Sequence, residues 1–345
     1  MTDNPAWSIV AAMSALPIVV AGAGLIGRRH IATIRKSSQA VLAGIADPAA
    51  EAFASELGVA WAADLETLLD RVKPAGAILA TPNALHVSGA LACIARGVPV
   101  LIEKPVAGTL ADAVAIADAA EAARVPTLVG HHRRHNPILR AARKAVREGL
   151  LGEIVSATAL TLFLKPDPYF DVAWRTGADG GPVLINLIHD IDALRFVVGE
   201  IVEAKAFVSS ALKRRPVEDN AVAAVRFANG GLGTLAVSDA AVSPWSWELT
   251  SGENESYPRQ DDASCLFLSG TKGALDVPHL TLRHYPGNAG WMDPLALRRL
   301  PVTPGDSYAL QLAHFLALAR GEAESVIDAR DAARSLEIAL AIRNA

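Results

Sequence analysis

Three glycines, Gly22, Gly24 and Gly27, stand in the run Ile18 to Gly27, IVVAGAGLIG, between an apolar stretch and one with helical spacing. Strand, glycine turn and helix in that order form a receiver for a dinucleotide. Gly22 permits the tight turn. Gly24 lets the backbone N–H groups around Leu25 and Ile26 approach a pyrophosphate, and Gly27 lets the helix pack close to the strand, so the phosphates meet the helix's positive end. The next apolar run, Val41 to Ala46, ends at Asp47, twenty residues after Gly27, where a carboxylate holds a ribose 2′-hydroxyl. An acid there repels a 2′-phosphate, and Pro48-Ala49-Ala50 offers no cation in its place. The expected cofactor is NAD in preference to NADP.

Two further residues have the chemistry of acid–base work. Lys104, in Glu103-Lys104-Pro105, follows the short apolar strand Val98 to Ile102. Beside an oxidised nicotinamide, the ring's charge and burial both lower a lysine's pKa, which suits it to exchange protons. A surface lysine in a salt bridge is the alternative. His189 lies in the helical pattern Pro182 to Val198, led by Gly180-Gly181. At 100° per residue Leu184, Leu187, Ile188, Ile191, Leu194 and Val198 share one side, and Asn186, His189 and Asp190 share the other. A compact polar cluster without Lys or Glu reads as a site, with His189 as proton shuttle. The alternative is a hydrogen-bonded core histidine.

These residues need a scaffold that brings strand ends together. From Asp47 to Gly130 helical and apolar stretches alternate, with Asp64 as a helix cap and Gly76 to Ala80 as a buried strand. Ligands in such parallel sheets bind beyond the carboxyl ends of the strands, which places Thr81, Asn83 and His86 near the cofactor; a Thr-Pro turn and helix cap explains them equally well. Composition changes at His131-His132-Arg133-Arg134-His135-Asn136-Pro137. This spacing matches no familiar metal signature, so no metal is expected, and the stretch reads as a polar hinge edge. Strands then recur without helices long enough for crossovers, at Glu153 to Leu164, Val202 to Ala211, Ala221 to Ala228, Leu232 to Ala240, Cys265 to Ser269 and Leu280 to Tyr285. That rhythm gives a mostly antiparallel sheet, with a hairpin turn at Asn229-Gly230. Ser251 to Asp262 reads as a mobile polar loop. Helices at Asp306 to Arg320 and Asp328 to Arg343 close the chain. The division expected is an extension over 1–16, a nucleotide-binding domain over 17–131 and a substrate and oligomerisation domain over 132–345.

The 345 residues, 51% hydrophobic, suffice for two cores. A formal charge of −4 shows no basic bias, which argues against nucleic acid as partner. Cys93 and Cys265 stand far apart, in keeping with a reducing cytoplasm. Trp7 to Gly27 carries no charge over 21 residues. Pro17, the three glycines and the lack of a preceding basic residue nevertheless argue against a membrane span or signal peptide.

GAGLIG, Asp47, Thr81-Pro82-Asn83 with His86, Glu103-Lys104-Pro105, and the glycine-led helix with His189-Asp190-Ile191-Asp192 together resemble the Gfo/Idh/MocA oxidoreductases over nearly the whole chain. The resemblance implies an α/β protein with an N-terminal Rossmann domain and a C-terminal α/β domain whose open, mostly antiparallel sheet forms homodimers or homotetramers. It implies reversible hydride transfer between nicotinamide and a secondary alcohol of a sugar, inositol or related cyclic polyol, with Lys104 and His189 as the family's lysine and histidine. One departure stands out: the family's Asp four residues before the histidine is Ile185 here, with Asn186 three before. Asn186 is then assigned to substrate positioning and Asp190 to orienting His189. Tyr169, Trp174 and Arg175 are read as a substrate wall. Arg175 and Arg134 would suit a carboxylate, which admits a cyclic hydroxy acid as substrate; surface salt bridges explain these arginines as well. A dinucleotide sensor without turnover and an NAD-retaining glycosidase are the alternative functions.

Overall fold

The computed structural model describes residues 15–177, 180–287 and 289–345. The extension expected over 1–16 falls almost wholly outside them. The first half alternates as expected: β1 (Leu16–Ala21), α1 (Leu25–Lys36), β2 (Ala40–Ala46), α2 (Glu51–Leu57), β3 (Ala60–Ala62), α3 (Leu65–Val72), β4 (Gly76–Leu79), α4 (His86–Ala95), β5 (Val100–Ile102), α5 (Leu110–Ala123) and β6 (Thr127–Val129). All strands pair in parallel, in the order β3-β2-β1-β4-β5-β6. Helices cover both faces, so β4, β5 and β6 are buried throughout and read as unbroken apolar runs. Strand order reverses beside β1, opening a crevice at the carboxyl ends of β1 and β4. Asp64 caps α3 by accepting from the Thr67 N–H.

Beyond a single turn at His132–His135 come α6 (Pro137–Arg147), β7 (Ile154–Leu162), α7 (Ile188–Val197), β8 (Ile201–Ser209), β9 (Asn220–Phe227), β10 (Leu232–Ser238), α8 (Trp247–Thr250), β11 (Leu266–Gly270), β12 (Gly273–Val277), β13 (Thr281–His284), β14 (Ala296–Arg299), α9 (Ser307–Ala319) and α10 (Ala329–Arg343). The eight strands form one sheet, β14-β13-β12-β11-β7-β10-β9-β8. It is antiparallel except where β7 pairs in parallel with β10. β12 and β14 carry no alternation legible in sequence; Ala-Leu-Arg-Arg in β14 is held by pairing with β13.

The last two helices pack on both halves. Phe315 of α9 lies beneath Gly76 of the parallel sheet, where an added Cβ would come within 3.0 Å of its ring. α10 packs against α5 on one side and against α7 and β8 on the other. The Ala329 N–H donates to Thr127 Oγ1, and the Val129 N–H to the Ile327 carbonyl. Among the described residues no helix is long and apolar enough to cross a membrane.

Candidate active site

The three glycines of the first turn act for three different reasons. Gly22 has φ of +90°, and a Cβ there would lie 2.4 Å from the Ala80 carbonyl oxygen; a Cβ on Gly27 would lie 1.9 Å from the Gly22 carbonyl oxygen. Gly24 faces open space, with no atom within 4 Å of an added Cβ. The first turn of α1 has neither a side-chain cap nor an acid, and Leu25 and Ile26 are exposed there. A helix end left positive and uncovered is a seat for phosphate. Asp47 closes the turn: its Oδ2 accepts from the Ala23 N–H at 2.8 Å and its Oδ1 from the Ala49 N–H at 2.8 Å. The carboxylate keeps free lone pairs for ribose hydroxyls. These residues fit a dinucleotide.

Thr81 and Asn83 follow β4 on the same side of the sheet. His86 is fully buried, with Nδ1 2.9 Å from the Pro105 carbonyl oxygen and Nε2 3.0 Å from that of Thr81. Burial depresses its pKa, and a neutral ring has one N–H to place between the two carbonyls. The expectation that His86 meets the cofactor is therefore corrected. It ties the loop after β4 to the loop after β5. Glu103 is buried against His30, Nε2 to Oε1 2.8 Å. Burial pushes the Glu103 carboxyl up, but the hydrogen bond and charge of His30, with His132 and Lys104, hold it down overall.

Lys104 leaves the end of β5 and places Nζ 2.8 Å from the Ile185 carbonyl oxygen. Burial lowers its pKa to about 8, with Glu103 opposing and Arg133 adding to the fall. Its acceptor exists because the chain enters α7 through a π turn, Val183–Leu187, rather than through the α-helix expected from Pro182 onward. π turns loosen the carbonyl ladder and recur at functional sites. The start of this segment is fixed by Glu218, which accepts from the Val183 N–H at 3.0 Å. Gly181, with φ of +84°, clears that carboxylate, 2.4 Å from an added Cβ.

His189, the second residue of α7, is buried beside His131 and His132, at ring-centroid distances of 6.0 and 5.3 Å. Its Nδ1 has no hydrogen-bond partner among the described residues. Burial, then the charges of Lys104 and Arg133, hold its pKa well below the usual value, so the ring is neutral near pH 7. Asp190 does not orient it. The Asp190 Oδ1 accepts from Arg133 Nη1 at 2.7 Å and Oδ2 accepts from Thr161 Oγ1. Burial raises Asp190 to about 6. All ten residues of α7 are buried, so the two-sided picture drawn from periodicity describes which partners each side meets, not which side meets water.

Asn186 sits within the π turn. Its Oδ1 accepts from Lys165 Nζ at 2.6 Å, and its Nδ2 lies 3.5 Å from Glu248 Oε1. Lys165 and Glu248 were not marked by any spacing in the sequence; their only signals are positions after β7 and in the one-turn α8. Burial lowers Lys165 to about 8. Tyr169 and Arg175, on single turns at Asp167–Asp171 and Ala173–Thr176, stack with the Arg175 guanidinium 4.0 Å from the ring centroid, and Lys165 Nζ lies 4.8 Å from the same ring. Trp174 beside them is 51% exposed.

Arg134 is corrected outright. Its Nε and Nη2 grip Asp192 at 2.9 and 2.7 Å, and Nη1 donates to Asp331 and to the Val326 carbonyl. A guanidinium so engaged and buried joins α7 to α10 and leaves no fork for a substrate carboxylate. The neighbouring Arg133 joins Asp190 to Glu248, 2.9 Å from Nη2 to Oε1. The loop expected to be mobile, Ser251 to Asp262, is pinned at Glu253, which accepts from His132, Asn136, Trp247 and Ser307. Among the described residues no group of three or more His, Cys, Asp or Glu is placed to hold a metal ion.

Residues 16–131 match a profile described as an oxidoreductase family with an NAD-binding Rossmann fold, and residues 139–276 match the GFO/IDH/MocA C-terminal domain. A 1,5-anhydro-D-fructose reductase from Ensifer adhaerens is 27% identical over 328 residues, 93% of either chain. The rhizopine catabolism protein MocA from Rhizobium meliloti is 32% identical over 194 residues, 54% of this chain and 59% of that one. The WlbA dehydrogenase from Bordetella pertussis, solved with NADH and UDP-GlcNAcA, superposes with a TM-score of 0.76 at 24% identity over 96% of each chain.

Proposed function

The chain belongs to the Gfo/Idh/MocA family of NAD-binding oxidoreductases, and on that premise we propose that Lys104 and His189 serve hydride transfer to or from a secondary alcohol of a sugar, inositol or related cyclic polyol. The observation that carries this reading is the approach of the half-buried Lys104 ammonium to the π turn that delivers His189. The 1,5-anhydro-D-fructose reductase named above, alike over nearly its whole length, supports a carbohydrate substrate.

Bound NAD supplies the hydride acceptor or donor. Gly22, Gly24, Leu25, Ile26 and Gly27 would hold its phosphates and Asp47 its ribose, and Thr81, Asn83, Glu103 and Lys104 would serve its nicotinamide half. Asp47, with no cation in Pro48-Ala49-Ala50, supports NAD over NADP. In the oxidation direction neutral Lys104 accepts the hydroxyl proton at Nζ, and the neutral His189 ring orients the same hydroxyl. Asn186 positions the substrate, and Tyr169, Trp174 and Arg175 wall the cleft.

An open sheet face supports homodimers or homotetramers: Phe207, 83% exposed, pairs with exposed Val222, and Ala236 and Leu160 continue the row across β10 and β7. The two cysteines are buried free thiols, which suits the cytoplasm. The test is NADH formation with NAD and NADP in parallel, across inositols, aldoses and cyclic hydroxy acids, with Lys104→Met as control. Reduction of NAD that the variant loses is the expected result. Turnover unchanged in Lys104→Met overturns the assignment.

A further inference from the structure

The π turn presents two consecutive residues to two lysines: Ile185 offers its carbonyl to half-buried Lys104, and Asn186 offers Oδ1 to buried Lys165. The orientation of the Asn186 amide is forced, because Lys165 can only donate and the Glu248 carboxylate can only accept. Asn186 therefore holds a cation and an anion side by side at the edge of the reacting site. The Lys165 ammonium has three N–H donors, and Asn186 is its one hydrogen-bond partner among the described residues. Glu248 shares Oε1 between Arg133 and Asn186, while its buried Oε2 has no partner. A buried carboxylate oxygen without a donor is an unmet demand in the free protein.

We propose that Lys165 and Glu248, set by Asn186, form a two-point clamp for a hydroxyl next to the one being oxidised, and so select an uncharged vicinal diol over a hydroxy acid. A hydroxyl satisfies both groups at once, accepting from Lys165 and donating to Glu248 Oε2. A carboxylate in the same place has no proton for Glu248 and meets its charge. The Tyr169 ring, stacked on Arg175, lies 4.8 Å from Lys165 Nζ. The clamp rests on the hydride-transfer reading above, in which Lys104 and His189 act on the neighbouring hydroxyl.

Lys165 is faced by Asp239 and Glu248, which raise its pKa, and by Lys104 and Arg175, which lower it; burial dominates. A clamp that needs the ammonium form adds an alkaline descending limb to kcat/KM, which, with Lys104 and Lys165 both at about 8, makes the profile a bell centred near pH 8.

The experiment compares myo-inositol and the pair D-glucose and D-glucuronate as hydride donors to NAD, for the wild type and for Lys165→Met, Lys165→Arg and Glu248→Gln, with NADH binding as the check on folding. Wild type is expected to prefer the neutral donors. In Lys165→Met the KM for the neutral donor rises about tenfold or more and the alkaline limb disappears, with both partly restored in Lys165→Arg. In Glu248→Gln the preference for D-glucose over D-glucuronate shrinks about tenfold. A wild type that prefers D-glucuronate, or an active wild type whose variants keep KM, pH profile and preference, overturns the clamp alone. A wild type that binds NADH and oxidises none of the three overturns the hydride-transfer reading, and the clamp with it.

Discussion

The pH dependence of oxidation tests the central assignment most sharply. Free lysine titrates near 10.5, and burial brings Lys104 to about 8. At pH 7 the neutral, proton-accepting fraction then rises from about one in 3,000 to about one in ten, a gain of about 300-fold or about 3 kcal/mol. His189 contributes no ascending limb above pH 6.5, because burial and the neighbouring cations already keep it neutral there. Initial rates of NADH formation, measured from pH 6 to 10 at saturating NAD, should therefore rise about tenfold per pH step of one and bend near pH 8. Glu103→Gln removes the carboxylate that holds the Lys104 proton in place, so the bend moves to lower pH. Lys104→Met removes the bend and lowers the rate by about 10²–10⁴. A bend near 6.5 that survives in Lys104→Met would place the titrating base elsewhere and refute the reasoning.

The glycine turn separates stability from binding: Gly24→Ala meets open space, so its Tm should stay at the wild-type value while NADH affinity, followed by fluorescence, falls about tenfold or more. Gly27→Ala meets the Gly22 carbonyl and should lose about 1–3 kcal/mol of stability as well, read by chemical denaturation. Asp47→Ala should erode the preference for NAD, seen as convergence of the two KM values for NAD and NADP; a preference left intact would remove Asp47 from ribose recognition. Asp192→Ala leaves Arg134 with only its Asp331 pairing and should cost about 3–5 kcal/mol in urea denaturation. The native Asp192 carboxyl, despite burial, is held at about 2 by His131, Arg134 and Arg195, below its unfolded value of 3.8. Its stabilisation is thus complete above about pH 4 and lost as pH falls towards 2. Phe207→Glu should shift light-scattering mass towards the monomer if the open sheet face joins subunits.

The features legible in sequence were those carried by neighbouring residues. IVVAGAGLIG encodes strand, turn and helix within ten positions, and the Cβ clashes at Gly22 and Gly27 restate in space what the spacing implied. The cap at Asp64 is likewise a local hydrogen bond, to the Thr67 N–H three residues on. Lys104 stood out because it follows a short apolar strand, and His189 because it sits in a compact polar cluster on an otherwise apolar helical pattern. Tertiary structure decided everything that depends on which distant residue arrives at a given atom. Lys165 and Glu248 reach Asn186 from 21 and 62 residues away, and neither has a periodic or turn signal of its own. Arg133 and Arg134 are adjacent and chemically identical, yet one borders the cleft and the other locks α7 to α10. The π turn is a matter of where carbonyls find partners. Local propensity determines elements because its interactions lie within a few residues, whereas side-chain partners are fixed only once the two sheets and the last two helices enclose them.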